Sequence, residues 1–119
     1  MNRYFLDTSL IAAFLHGRPQ ALKLIDPLVR NGQAATSILV YGEVIEYLKG
    51  LPTFREYKAR LQRLFQLEQI VPYPLTYAIL ERYADIRRTL RPLHKEIGDI
   101  DTLIAATALE ENMTLMGLL

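Results

Sequence analysis

The sequence predicts an α/β sandwich, with a short central parallel sheet covered by helices on both faces. Short apolar runs alternate along the chain with amphipathic stretches at helical spacing, the pattern of strand–helix–strand units. The run Tyr4-Phe5-Leu6 is apolar at successive positions, which suits a strand buried on both faces in the middle of a parallel sheet. The chain has 119 residues, 50% of them hydrophobic, the size of one domain with a core that needs no metal or disulfide staple.

The elements follow in order. After the first strand, Asp7, Thr8 and Ser9 are residues that cap a helix, and Leu10, Ile11, Phe14 and Leu15 form its apolar side. Pro19 suits the start of a second helix, where Ala21, Leu22, Ile25, Leu28 and Val29 keep helical spacing until Asn31-Gly32, with a bend expected at Pro27. Gln33 to Thr36 predicts a short strand, and Ser37 a cap for a third helix through Leu48, closed by Lys49-Gly50. Pro52 predicts the opening of a fourth helix, with Phe54, Tyr57, Leu61 and Leu64 on one side and Arg55, Lys58, Arg60 and Arg63 on the other. Ile70 to Pro74 is a third short strand. Leu75, Ile79, Tyr83, Ile86 and Leu90 line a fifth helix that Pro92 stops. A polar, turn-like segment from Arg91 to Gly98 leads into the helical run DIDTLIAATAL, and Thr114-Leu115-Met116 makes a last strand.

Composition narrows the chemistry. Without cysteine there is no thiol catalysis and no Cys-ligated zinc, which suits a reducing cytoplasm. There is no apolar run long enough for a membrane span and no secretory signal pattern at the N-terminus, so no membrane association is expected. A net charge of +1 means that any contact with nucleic acid must come from a local patch. A two-histidine acid–base design would have to use His16 and His94, both in turn-like segments without an evident orienting partner.

Carboxylates carry the stronger signal. Functional groups in an open parallel sheet gather beyond the carboxyl ends of the strands, where Asp7 sits. Glu43 lies in a helix that is apolar almost all round, so its charge needs a partner, with an Arg or Lys as the plain structural choice. Asp99 and Asp101 open the sixth helix, where the helix dipole favours negative charge. Asp101 shares a face with Ala105 and Ala108, small residues that predict close packing there. Like-charged carboxylates about 4 Å apart repel by roughly 4 kcal/mol at an effective dielectric near 20, so three converging acids need a cation. An all-oxygen donor set suits Mg²⁺ or Mn²⁺, metals that activate water and neutralise a phosphodiester under attack.

The stretches FLDTSLIAAFL, TSILVYGEVIEYL and IGDIDTLIAATALEENMTLM together resemble the PIN-domain ribonucleases, and within them the VapC-type toxins of toxin–antitoxin pairs. The resemblance covers essentially the whole chain, read as a single PIN-like domain over 1–119. It implies that Asp7, Glu43 and Asp101 are the catalytic, metal-binding acids, that Asp99 is an auxiliary metal acid, and that Thr8 or Ser9 is a polar helper. It also implies a cytoplasmic, Mg²⁺- or Mn²⁺-dependent endoribonuclease, usually dimeric and silenced by a cognate antitoxin. Surplus apolar positions on the second, third and fourth helices point the same way, towards a homodimer. The chain departs from the family at its C-terminus, where Gly117-Leu118-Leu119 stands in place of a Thr-x-Asn type segment, so the domain is read as shortened or altered there. That departure favours an alternative, a catalytically weak PIN module acting mainly by binding an antitoxin. The same acids on the same fold also suit cleavage of structured DNA. Arg87, Arg88 and Arg91, near Arg82 and Lys95, are the candidate RNA-binding residues, balanced in part by Glu81, Asp85 and Glu96.

Overall fold

Strand β1 (Tyr4–Leu6) runs through the middle of the molecule, with Phe5 and Leu6 entirely out of contact with solvent. The computed structural model describes residues 2–95 and 97–117. After β1 come α1 (Thr8–Leu15), α2 (Pro19–Arg30), β2 (Ala34–Ser37), α3 (Ile38–Lys49) and α4 (Phe54–Gln66). Then follow β3 (Val71–Tyr73), α5 (Tyr77–Leu90), a 3₁₀ turn over Arg91–Leu93, α6 (Asp99–Glu110) and β4 (Thr114–Met116).

Among the described residues the strands form one sheet in the order β3-β2-β1-β4. Every pairing is parallel: Phe5 stands opposite Ala35 on one side and Leu115 on the other, and Ala35 opposite Val71. Two crossovers step the same way, from β1 to β2 and from β2 to β3, and the third returns across the sheet to β4. Because such crossovers are right-handed, α1 to α4 cover one face and α5 and α6 the other. The packing agrees: α1 meets α2, α3 and α4, whereas α5 meets α6. The expected sandwich is therefore the observed fold.

The core joins β1 to the four-helix face through Leu10, Ile11, Ile25, Val44, Leu48 and Leu61. All four residues of β2 are small and buried, which lets the helices approach the sheet closely. Its one deeply buried hydroxyl with a distant partner, that of Thr36, donates to the Leu6 carbonyl at 2.8 Å.

Local signals place most boundaries. Asp7, Ser37 and Thr76 each accept a backbone N–H at the start of a helix, from Leu10, Leu39 and Ile79. Pro27 lies inside α2, which runs on to Arg30. Several boundaries differ from expectation, β3 among them, which covers Val71–Tyr73 and not Ile70 to Pro74. β2 begins at Ala34, one residue late, because the Gln33 N–H closes the end of α2 by bonding the Leu28 carbonyl at 2.8 Å. α4 begins at Phe54, not Pro52, since a turn closed by the Phe54 N–H on the Leu51 carbonyl comes first. Of the stripe expected along the fifth helix, only Ile79 is fully buried, and Leu75 precedes the helix.

Replacing Thr36 by Val removes the Thr36–Leu6 bond at nearly constant shape. It should cost about 1 kcal/mol of stability, read in urea as a lower midpoint with an unchanged slope.

Candidate active site

The sheet order reverses beside β1: the chain leaves β1 towards β2 on one side, and β4 returns to the other. Crevices outside the carboxyl ends of strands at such a point are where ligands bind in open α/β sheets. An open cleft of about 570 Å³ lies here, with Asp7, Thr8, Ser9, Glu43 and Asp101 on its polar side and Ile97, Ile104, Ala105 and Leu115 on its apolar side. Three acids that are far apart in sequence thus share one cleft.

Each acid has a distinct local setting. Asp7 follows β1 directly and caps α1, its Oδ1 accepting the Leu10 N–H at 2.8 Å, while its own backbone N–H donates to the Met116 carbonyl at 3.1 Å. A single carboxylate is therefore tied to the helix it starts and to the neighbouring strand β4. Glu43, half-buried on α3, has a hydroxyl for a partner and not the Arg or Lys of the plain reading: Thr8 Oγ1 donates to its Oε1 at 2.6 Å. A charge-assisted bond of this kind stabilises the carboxylate without neutralising it. Asp101 sits in the first turn of α6, anchored by the buried Thr102, whose hydroxyl and N–H both donate to the Gly98 carbonyl. Ala108 is buried as its small size suggests, but Asp101 itself is exposed, because the face it shares with Ala105 opens onto the cleft.

Asp99 does not line the cleft. Its Oδ1 accepts from Arg87 Nη1 and, at 3.1 Å, from the Tyr83 hydroxyl, and the Arg87 guanidinium lies 5.6 Å from the Tyr83 ring centroid. These contacts bind α6 to α5, as does the ion pair of Arg82 with Glu110 at 3.1 Å. Of the three candidate RNA-contacting arginines, Arg87 is thus engaged by Asp99, while Arg88 and Arg91 are exposed. Glu96, Leu118 and Leu119 lie outside the described residues.

The histidines are set apart from the acids. His16 has the orienting partners that its sequence context did not reveal: Nδ1 is 3.2 Å from the Tyr57 hydroxyl and Nε2 is 2.7 Å from that of Tyr47. Its partners come from α3 and α4, so only the packing of those helices discloses them. Arg3, just before β1, donates to the hydroxyl of Tyr73, the last residue of β3, at 2.6 Å.

The donor set of the cleft fits a hard divalent cation, being carboxylate oxygen with hydroxyls beside it. Among the described residues, however, no three His, Asp or Glu side chains stand close enough to share one ion.

Fold and cleft together define an α/β protein with an acidic cleft at the switch point of a parallel sheet. The chain belongs to the PIN domain family, whose sequence profile matches residues 4–117. The fold is similar to that in VapBC-1 from nontypeable Haemophilus influenzae, at 26% identity over 94% of this chain and 83% of that one, with a TM-score of 0.74. It is also similar to that in VapBC2 from Rickettsia felis bound to a promoter DNA fragment, at 23% identity over 94% and 84% of the two chains, TM-score 0.79. A toxin–antitoxin complex from Klebsiella pneumoniae shares the fold at 20% identity over 94% and 82%, TM-score 0.72. No curated protein matches the chain by sequence.

Thr8→Val deprives Glu43 of its donor. Because Glu43 is only half-buried, water replaces part of the loss, and a cost of about 1 kcal/mol in urea unfolding is expected.

Proposed function

We propose that this chain is a Mg²⁺- or Mn²⁺-dependent endoribonuclease, the VapC-type toxin of a toxin–antitoxin pair, hydrolysing RNA phosphodiester bonds. One observation carries this reading: Asp7, Glu43 and Asp101, from three separate segments, line one cleft at the carboxyl end of the sheet. Solved relatives with this fold are VapBC and toxin–antitoxin complexes, which supports an antitoxin as the partner.

The residues divide the work by position. Asp7, Glu43 and Asp101 would hold the metal, directly or through its waters; Thr8 holds the Glu43 carboxylate in place, and Ser9 adds a second hydroxyl to the polar wall. The metal, when bound, supplies positive charge beside the scissile phosphate and an activated water. Asp99, expected among the metal acids, instead keeps the start of α6 against α5 through Arg87 and Tyr83, and so steadies Asp101. Ile97, Ile104 and Leu115 form the apolar side of the cleft. Arg88 and Arg91 contact phosphates on the approach, a sequence-independent and salt-sensitive grip.

Among the described residues no three His, Asp or Glu side chains form a ready metal cluster, which favours a second reading, a catalytically weak module that acts mainly by holding its antitoxin. Either role uses partner surface. Exposed large apolar residues lie on both faces: Leu24 on α2, Ile38 and Tyr47 on α3 and Leu67 at the end of α4, against Tyr77 and Leu80 on α5 and Ile100 and Leu109 on α6. A homodimer would cover one of these sets. No helix among the described residues is long and apolar enough to cross a membrane, and an RNA substrate fits a cytoplasmic protein.

Cleavage of a mixed RNA pool should require Mg²⁺ or Mn²⁺ and be lost in Asp7→Asn. Asp101→Asn should weaken calorimetric Mn²⁺ affinity by at least about 10-fold, the typical cost of losing even an outer-shell partner. Asp99→Asn should leave that affinity close to the parent's. Metal binding without RNA cleavage by the parent would support the weak-module reading.

Substitution of Arg88 and Arg91 by Ala should reduce RNA binding and flatten its dependence on salt by roughly one unit of log–log slope for each phosphate that is no longer neutralised. An unchanged slope in filter binding would make these arginines solvated bystanders.

A further inference from the structure

His16 caps the end of α1, and its ring is held at both nitrogens. Nε2 lies 2.7 Å from the Tyr47 hydroxyl and Nδ1 3.2 Å from that of Tyr57. Hydroxyl donors make the shorter bonds and N–H donors the longer ones, so these lengths fit the Nδ1–H tautomer: Nδ1 donates to Tyr57, and Nε2 accepts the Tyr47 proton. Both tyrosine rings meet the imidazole edge-on, with centroids 5.8 and 4.9 Å away, and the Arg60 guanidinium lies 5.2 Å from the Tyr57 centroid. Tyr47 is one helical turn after Glu43 on α3, and Thr8 is the first residue of the helix that His16 caps. Helices α1 and α3 are therefore joined by two rungs, Thr8 to Glu43 at 2.6 Å and Tyr47 to His16. The buried Val40, Val44 and Leu48 hold α3 in the core, but apolar packing is non-directional. The rungs are directional, and fix how the helix is turned about its axis.

We propose that His16 is a positioning residue for Glu43: by accepting the Tyr47 hydroxyl it sets the rotation of α3, and with it the direction in which the Glu43 carboxylate meets Thr8 and the cleft. His16 does not line the cleft and acts on it only through Tyr47. Tyr57 serves the same end, since by taking the Nδ1 proton's bond it keeps Nε2 an acceptor. A ring that merely filled space between α1, α3 and α4 would need only its shape. The joint stands without any metal, whereas its consequence for ligand binding rests on the function proposed above.

The test begins with a double-mutant cycle on the metal-free protein in urea, in which Thr8→Val cuts one rung and Tyr47→Phe the other. Rungs that share one helix rotation are coupled, so the unfolding constant of the double variant should depart from the product of the single effects by at least about 2-fold. Independent effects would overturn the proposal. Calorimetric titration with Mn²⁺ then compares three replacements of the ring. His16→Phe keeps an aromatic ring but neither bond, and should weaken Mn²⁺ binding by at least about 2-fold, the lower end for a network residue without ligand contact. His16→Gln, whose amide oxygen can stand in for Nε2 and accept the Tyr47 proton, should restore the parent's affinity. His16→Asn, which reaches only as far as Nδ1, should not. Parent affinity in His16→Phe, or equal losses in all three, would overturn the positioning role. A parent that binds no Mn²⁺ would instead refute the metal-dependent reading, leaving the urea cycle to decide the role of His16 by itself.

Discussion

Burial of β1 between two parallel neighbours is the constraint on which the rest of this protein depends. A three-residue strand with Phe5 and Leu6 fully enclosed can satisfy its backbone only through strands on both sides, here β2 and β4. Parallel neighbours need long crossovers, and the right-handedness of those crossovers assigns four helices to one face and two to the other. Once β4 lies beside β1, the sheet has a switch point, and the residue that follows β1 necessarily emerges there. Asp7 is that residue.

The acids of the cleft are tolerated because each has work at short range. Asp7 completes the first turn of α1, Glu43 takes the Thr8 hydroxyl, and Asp101 sits at the positive end of α6. None of these partners is a cation, so the negative charge persists at the mouth of the cleft. Their partial exposure to water limits the repulsion among them. Asp99 shows the opposite arrangement: next door in sequence to the cleft, it is neutralised by Arg87 and becomes part of the joint between α5 and α6.

That contrast separates binding chemistry from support. Asp99 and Asp101 are two residues apart, which on a helix turns their side chains to different sides. One side meets α5 and the other the open end of the sheet. A pair of acids that the family resemblance places together as metal ligands is thereby divided between a structural contact and the cleft.

The sequence by itself determined what depends on residues within about four positions of one another. Helix caps at Asp7 and Ser37, the apolar periods, and the placing of acids just after strands or at helix starts are all local properties, and they were legible. Boundaries slipped where a turn used a neighbouring N–H, as at Gln33 and Phe54. Only the tertiary structure decided the partners across long separations: Thr8 with Glu43, His16 with Tyr47 and Tyr57, and Arg87 with Asp99. The physical reason is the same in each case. A side chain's choice among several chemically suitable partners is set by how helices pack and strands register, and those distances are not written in any single stretch of the chain.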